Sequence, residues 1–216
     1  MSQAAHRTGV LFTGDSITDC DRRADPDHLG FGYVRLLNEA LELAAKDVVN
    51  TGIGGNRVCD LEQRWDHDVV DHHPGLLSIL IGVNDMWHRF SRNDPTSTAA
   101  FRAGYRRILE RLPAEATSVV LIEPFLLPVR PEQDAWLNDL APKAAAVREL
   151  AEVFGAIFVP AQSYLDSQAQ QHGAAAIAYD GVHPTPLGHR LLADLWIQTV
   201  FTTASPPGAV GLGGRR

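Results

Sequence analysis

The sequence predicts a single-domain, three-layer α/β/α protein built on a five-stranded parallel sheet. Five short apolar runs alternate with longer amphipathic segments, which is the pattern of repeated β–loop–α units with right-handed crossovers. The runs are nearly continuous in apolar residues rather than alternating, as expected when both faces of a parallel sheet are covered. No repeat and no interdomain linker divides the 216 residues. The domain is expected to span residues 1–205, and the Gly- and Pro-rich stretch 206–216 reads as a flexible tail.

Taken in order, Val10–Phe12 is the first strand and Tyr33–Ala45 the first long helix, with Val34, Leu37, Leu41 and Ala44 at helical spacing. Val48–Asn50 is the second strand, followed by a helical pattern over Cys59–Asp71. Leu76–Ile81 is the third strand, before a helix over Thr96–Leu112. Ser118–Ile122 is the fourth. The helix over Gln133–Phe154 is interrupted by Pro142, which predicts a start after that residue or a bend at it. Ala156–Val159 is the fifth strand, and Leu187–Phe201 the last helix.

Composition narrows the function. Hydrophobic residues make up 45% and charged residues 21%, as in ordinary globular proteins. With 19 Lys and Arg against 26 Asp and Glu, the formal charge is −7, which disfavours nucleic acid or an anionic membrane as partner. No apolar run approaches the roughly 18 residues of a membrane span. Met1–Thr8 lacks the apolar core of a signal peptide, so a leaderless, cytoplasmic protein is expected. Cys20 and Cys59 then read as free thiols.

The chemistry lies where the strands end, the edge at which open α/β sheets place ligands. The first strand runs into Gly14-Asp15-Ser16 and the second into Asn50-Thr51-Gly52-Ile53-Gly54-Gly55-Asn56. The third reaches Gly82-Val83-Asn84-Asp85, and a long excursion after the fifth ends in Tyr179-Asp180-Gly181-Val182-His183-Pro184. A serine needs a base to become a nucleophile. Three Asp-x-x-His pairs offer one: Asp25–His28, Asp85–His88 and Asp180–His183. The first sits in a polar stretch and reads as solvated loop. The second also stands at a strand end and competes for the role. The third is favoured because Gly181 and Pro184 set it in a turn. Singly, the glycine-rich loop reads as a tight turn and the Asn-Asp run as an Asx turn.

Together these four segments, in this order, are similar to the blocks of the SGNH (GDSL) hydrolase family, over about residues 10–200. The resemblance implies a flavodoxin-like fold and a cofactor-free, metal-free serine esterase. Ser16 would be the nucleophile, His183 the base and Asp180 the residue orienting it. The backbone N–H groups of Ser16 and Gly55 and the amide of Asn84 would form the oxyanion hole, with Gly55 preferred to Gly54 by its offset from Asn50.

Further stretches, among them Asp15-Ser16-Ile17-Thr18-Asp19-Cys20, Gly32-Tyr33-Val34, Arg64-Trp65 with Asp68-Val69, and Ile81-Gly82-Val83-Asn84-Asp85-Met86-Trp87, resemble bacterial acetylxylan esterases. That narrower resemblance implies acetylated oligosaccharide as substrate and a homo-oligomer, although His88 stands where an Arg is expected. A lysophospholipase or thioesterase using the same triad is the alternative. Asp15, Trp87 and Tyr179 are candidate substrate contacts. Asp15, Asp19 and Asp85 also read as loop-holding hydrogen-bond partners, and Trp87 and Tyr179 as packing residues. Trp65 reads as core or subunit contact, and Arg57 as a substrate contact or, preferably, a partner of Asp60. His72-His73 reads as a solvated helix end rather than a metal tract. His189 is expected to pack beside the site without a task.

Overall fold

The computed structural model describes residues 9–43, 47–113 and 117–203. The expected tail, the segment Met1–Thr8 and the end of the first long helix lie outside or partly outside these residues. Five strands form the sheet: β1 (Val10–Gly14), β2 (Val48–Asn50), β3 (Leu76–Leu80), β4 (Ser118–Ile122) and β5 (Ile157–Val159). All neighbours are parallel and the order is β2-β1-β3-β4-β5. The strand order reverses beside β1, so the chain leaves β1 and β3 toward opposite edges and opens a crevice beyond their carboxyl ends.

The helices are α1 (Ser16–Asp19), α2 (Tyr33–Ala40), α3 (Val58–Gln63), α4 (Trp65–Asp68), α5 (Val83–Arg92), α6 (Thr98–Glu110), α7 (Asp134–Phe154), α8 (Ala161–His172), α9 (Ala174–Ile177) and α10 (Pro186–Thr203). Successive strand residues point to opposite faces. Leu11, Leu77, Ile79 and Leu121 therefore pack with side chains of α3, α6 and α7, while Phe12, Leu80, Val120 and Ile122 pack with those of α2, α8 and α10. Trp196 of α10 donates its indole N–H to Ser78 Oγ at 3.0 Å, satisfying a hydroxyl buried in the middle of β3.

Four local expectations change. The pattern over Cys59–Asp71 is not one helix: it breaks at Arg64 into α3, α4 and a 3-10 turn at Val70–His72. Arg64 leaves helical geometry at ψ 6°. Its guanidinium reaches the carbonyls of Gly14 (3.0 Å) and Thr51 (2.7 Å), Asn56 Oδ1 (2.8 Å) and the Asp68 carboxylate (2.7 Å). Next, of the two alternatives at Pro142 a start after it is excluded: α7 begins before Pro142 and runs through it. Pro142 and Asn138 are exposed, so water can serve the carbonyl that loses its partner, and the buried stripe Leu140, Val147 and Leu150 holds the helix on both sides. The Gly82–Asp85 run opens a ten-residue helix, α5, instead of ending in a turn. Asp25 is no solvated loop residue. It is buried, accepts the N–H groups of Leu29 (2.9 Å) and Gly30 (3.0 Å), and pairs with Arg35 at 2.5 Å.

Because an ammonium cannot reproduce the fork of Arg64, Arg64→Lys is expected to cost about 2–4 kcal/mol in urea unfolding, through buried carbonyls left unpaired. Arg107→Lys, which alters a partly exposed pair with Glu62, should cost less than about 1 kcal/mol. Equal costs for the two would overturn the role given to Arg64.

Candidate active site

Ser16 is the first residue of α1. Asp15, extended before it, caps the helix by accepting the Ile17 N–H on Oδ1 at 3.0 Å. This cap positions Ser16 with its own N–H turned toward no acceptor among the described residues, as at any helix start. Its Oγ lies 3.0 Å from His183 Nε2, and His183 Nδ1 lies 2.7 Å from Asp180 Oδ2. A carboxylate only accepts, so the imidazole proton sits on Nδ1 and leaves the Nε2 lone pair facing the serine hydroxyl. The other Asp180 oxygen accepts the N–H groups of Val182 (2.9 Å) and His183 (2.7 Å). Partial burial raises the Asp180 pKa, but the His183 ring bond and these two backbone bonds outweigh it and hold the carboxyl below its ordinary value.

The turn carrying this pair is braced from outside. Gly181 adopts φ +91°, and a Cβ there would press to 2.9 Å on both Gln133 Nε2 and the Leu127 carbonyl. Gln133 is fully buried. It donates to the Asp180 carbonyl at 2.6 Å and accepts from Val129 (2.8 Å) and Arg130 (3.1 Å). Leu127 N–H donates to the Gly181 carbonyl at 2.9 Å. The loop after β4 thus fixes where His183 stands. Gln133 reads in the sequence only as the start of a helix, and nothing in its local context marks this task.

Two further donors face the same space. Gly55 has φ +80° with open space around its Cβ position, and its N–H meets no acceptor among the described residues. Asn84, on the first turn of α5, donates one amide hydrogen to the Asn56 carbonyl at 3.0 Å, which leaves the second free. Gly54, by contrast, spends its N–H on Asp19 Oδ2 at 3.0 Å. Ser16, Gly55, Asn84, Trp87 and His183 line one cavity of about 340 Å³. Ser16, Asp19, Cys20, Tyr179, His183 and His189 line a second of about 400 Å³, so the cleft has two halves that meet at the serine–histidine contact.

Trp87 and Tyr179 flank that contact, with ring centroids 5.4 Å and 5.8 Å from the His183 ring, Tyr179 stacked and 63% exposed. Asp15 corrects an expectation: it is fully buried beneath α1 and cannot touch substrate. Asp85 and His88 do not bond to each other: Asp85 Oδ2 accepts the Val58 N–H at 3.0 Å, and His88 Nδ1 is buried with no hydrogen bond among the described residues. Arg57 pairs with Asp94 (2.9 Å) as well as Asp60 (3.6 Å). Trp65 is core. His189 accepts the Tyr33 N–H on Nδ1 at 3.2 Å and points Nε2 at Cys20 Sγ, 3.5 Å away. Burial, then the nearby His183, pushes the His189 pKa down to about 4, so it is uncharged at neutral pH.

Residues 12–191 match the GDSL-like lipase/acylhydrolase family. The chain belongs to that family. It is 33% identical over 205 residues to the acetylxylan esterase of Geobacillus stearothermophilus, covering 88% of this chain and 93% of the esterase. A solved catalytic mutant of that esterase, with an aspartate replaced by alanine, superposes with a TM-score of 0.80 at 30% identity, covering 93% and 96% of the two chains. Other solved catalytic mutants of it replace a serine or a histidine. A protein of Parabacteroides merdae described as a GDSL-like lipase also gives 0.80, at 34% identity over 90% of this chain and 96% of its own.

In this GDSL-family ester hydrolase the cleft lies beside two buried acids, Asp15 and Asp85. Asp15 Oδ2 and Asp85 Oδ1 are buried and make no close hydrogen bond among the described residues. Burial pushes both carboxyls up to about 7; proximity to Asp85 adds to the rise at Asp15, and the Val58 N–H, Lys143 and Arg57 partly offset it at Asp85. A carboxyl raised in the folded state stabilises the fold below its ordinary pKa near 3.8 and loses that contribution as pH climbs to about 7. Asp85→Asn, which carries no charge, should gain thermal stability relative to the parent as pH rises from 5 to 8. Melting curves at both pH values check this, and a constant gap would overturn it.

Proposed function

We propose that this chain is a serine esterase that removes short acyl groups, chiefly O-acetyl, from xylo-oligosaccharides or related sugars through an acyl-enzyme on Ser16. The observation that carries the reading is the continuous chain from Ser16 Oγ to His183 to Asp180, at 3.0 and 2.7 Å, with unspent N–H donors beside it. Ser16 Oγ attacks the ester carbonyl while its proton passes to His183 Nε2. Asp180 keeps the ring oriented and stabilises the imidazolium. The carbonyl oxygen, now negative, takes hydrogen bonds from the Ser16 and Gly55 N–H groups and the free hydrogen of Asn84, each such donor being worth about 10²–10³ in rate. The tetrahedral intermediate collapses, and the departing sugar oxygen takes the proton from His183. Water, deprotonated by the same nitrogen, then releases the acid and restores Ser16.

The acetyl-sugar part of the reading is supported by the relationship to the acetylxylan esterase and by Trp87 and Tyr179, whose faces suit sugar rings. Ser16→Ala and His183→Ala should each lose at least about 10³-fold in kcat on p-nitrophenyl acetate. His88→Ala should keep most of the activity; the reverse ranking of the two histidines would reassign the base. Turnover of acetyl over octanoyl p-nitrophenyl ester is expected, and preference for octanoyl would replace the acetyl reading with a lysophospholipase or thioesterase.

A further inference from the structure

The two halves of the cleft differ in charge. Asp19 and Asp21 line the half that contains Tyr179 and His189. Among the described residues no carboxylate lines the other half, and Arg92, the last residue of α5, does. Eleven of the fourteen described arginines pair with an acidic side chain. Arg92 is one of three that have no such partner among the described residues, and it alone of these faces the cleft that holds Ser16. The other charges near it are accounted for. Arg57 is occupied by Asp94 and Asp60. His88 is 93% buried and its pKa is lowered, by burial first and then by Arg92 and Arg57, so it stays neutral.

An acetyl group needs far less room than about 340 Å³, so this half has space for part of the alcohol as well. We propose that it receives a carboxylate carried by the alcohol part of the ester, paired with Arg92, so that the favoured substrate is an O-acylated sugar acid rather than a neutral sugar. The proposal rests on the esterase reading above and names the substrate class for the same site. A planar guanidinium with no acidic partner among the described residues suits a carboxylate bidentately, with little competing desolvation of an existing ion pair. In a chain of charge −7, such a local cation also offsets the general repulsion of an anionic ligand.

The test compares an O-acetylated hexuronic acid with its carboxamide, which keeps the shape and removes the charge. Acetate release by the parent at low salt should favour the acid by about tenfold in kcat/KM, the size expected of an accessible charge-assisted bond. Arg92→Gln should bring that ratio close to one, Arg92→Glu should invert it, and added salt should erode it in the parent. A parent ratio at or below one, or a ratio that Arg92→Gln leaves unchanged, would overturn the proposal. Calorimetric binding of both compounds to Ser16→Ala separates this from the chemistry. If neither compound nor p-nitrophenyl acetate is cleaved, the esterase reading fails, yet tighter binding of the acid that is lost in Ser16→Ala/Arg92→Gln still upholds the carboxylate site, and equal binding removes it.

Discussion

Arg64 ties the loops of the cleft to one another. Its guanidinium bonds the last carbonyl of β1, the Thr51 carbonyl just beyond β2 and the side chain of Asn56, and Asp68 balances its charge. These are the segments that set Ser16 and Gly55 in place. Asn56 is held a second time, through its carbonyl, by Asn84 on the first turn of α5, just beyond β3. Three separate strand ends are thereby locked to a common frame before any substrate arrives. An oxyanion site depends on such fixing, because donors that must reorient during reaction forfeit much of their advantage. Burial lowers the Arg64 pKa, yet a guanidinium remains charged, so the clamp holds across the pH range of a folded protein.

The fourth segment is anchored differently. His183 belongs to a turn far along the chain from β5, and its position comes from contacts with the loop beyond β4 rather than from a strand of its own. Gln133 and Leu127 bond the backbone of Asp180 and Gly181, while Asp180 itself closes the turn with bonds to Val182 and His183. The imidazole then rests between Trp87 and Tyr179. One side of the cleft is thus pinned by a cation to carbonyls and the other by an amide network. They share no residue, so each can be perturbed without directly loosening the other.

Strand placement was legible because periodicity and burial follow from the same side chains: Leu11, Phe12, Leu77 and Ile79 are apolar because both faces of the sheet are covered. The order Ser16, Gly55, Asn84, His183 was legible because each follows an apolar run or a Gly-Pro turn. Arg64 was not, since its partners are mostly backbone carbonyls of segments distant in sequence, and a carbonyl leaves no trace in residue type. Gln133 was hidden for the same reason. Asp25 looked solvated because its neighbours are polar, whereas its carboxylate replaces solvent with backbone N–H groups and Arg35. The helix α5 was missed because Asn84 and Asp85 favour turns locally, and the burial of Val83, Met86 and Asp85 overrides that preference.

Among the described residues eight side chains bury a polar atom that makes no hydrogen bond; five of them frame the cleft, and the others are Asn38, Trp65 and Tyr105. Thr13, Asp15, Asp85, Arg57 and His88 each keep a polar atom that makes no hydrogen bond among the described residues, and all five lie on the strand ends, loops or helix that frame the cleft. Such atoms cost free energy that a fold selected for stability alone would recover with apolar or paired residues. Asp15 shows why they persist. Its Oδ1 is committed to the cap that turns Ser16 outward, so its Oδ2 must be buried whether or not anything meets it. Asp85 is in the same position, with one oxygen fixing Val58 at the start of α3 and the other left over. A neutral amide could fill either role in the folded state. A carboxyl raised to about 7 instead makes the fold lose stability as pH climbs toward that value, and the charge of Asp85 opposes ionisation of Asp15, so the floor of the cleft carries a pH-dependent cost through two buried residues.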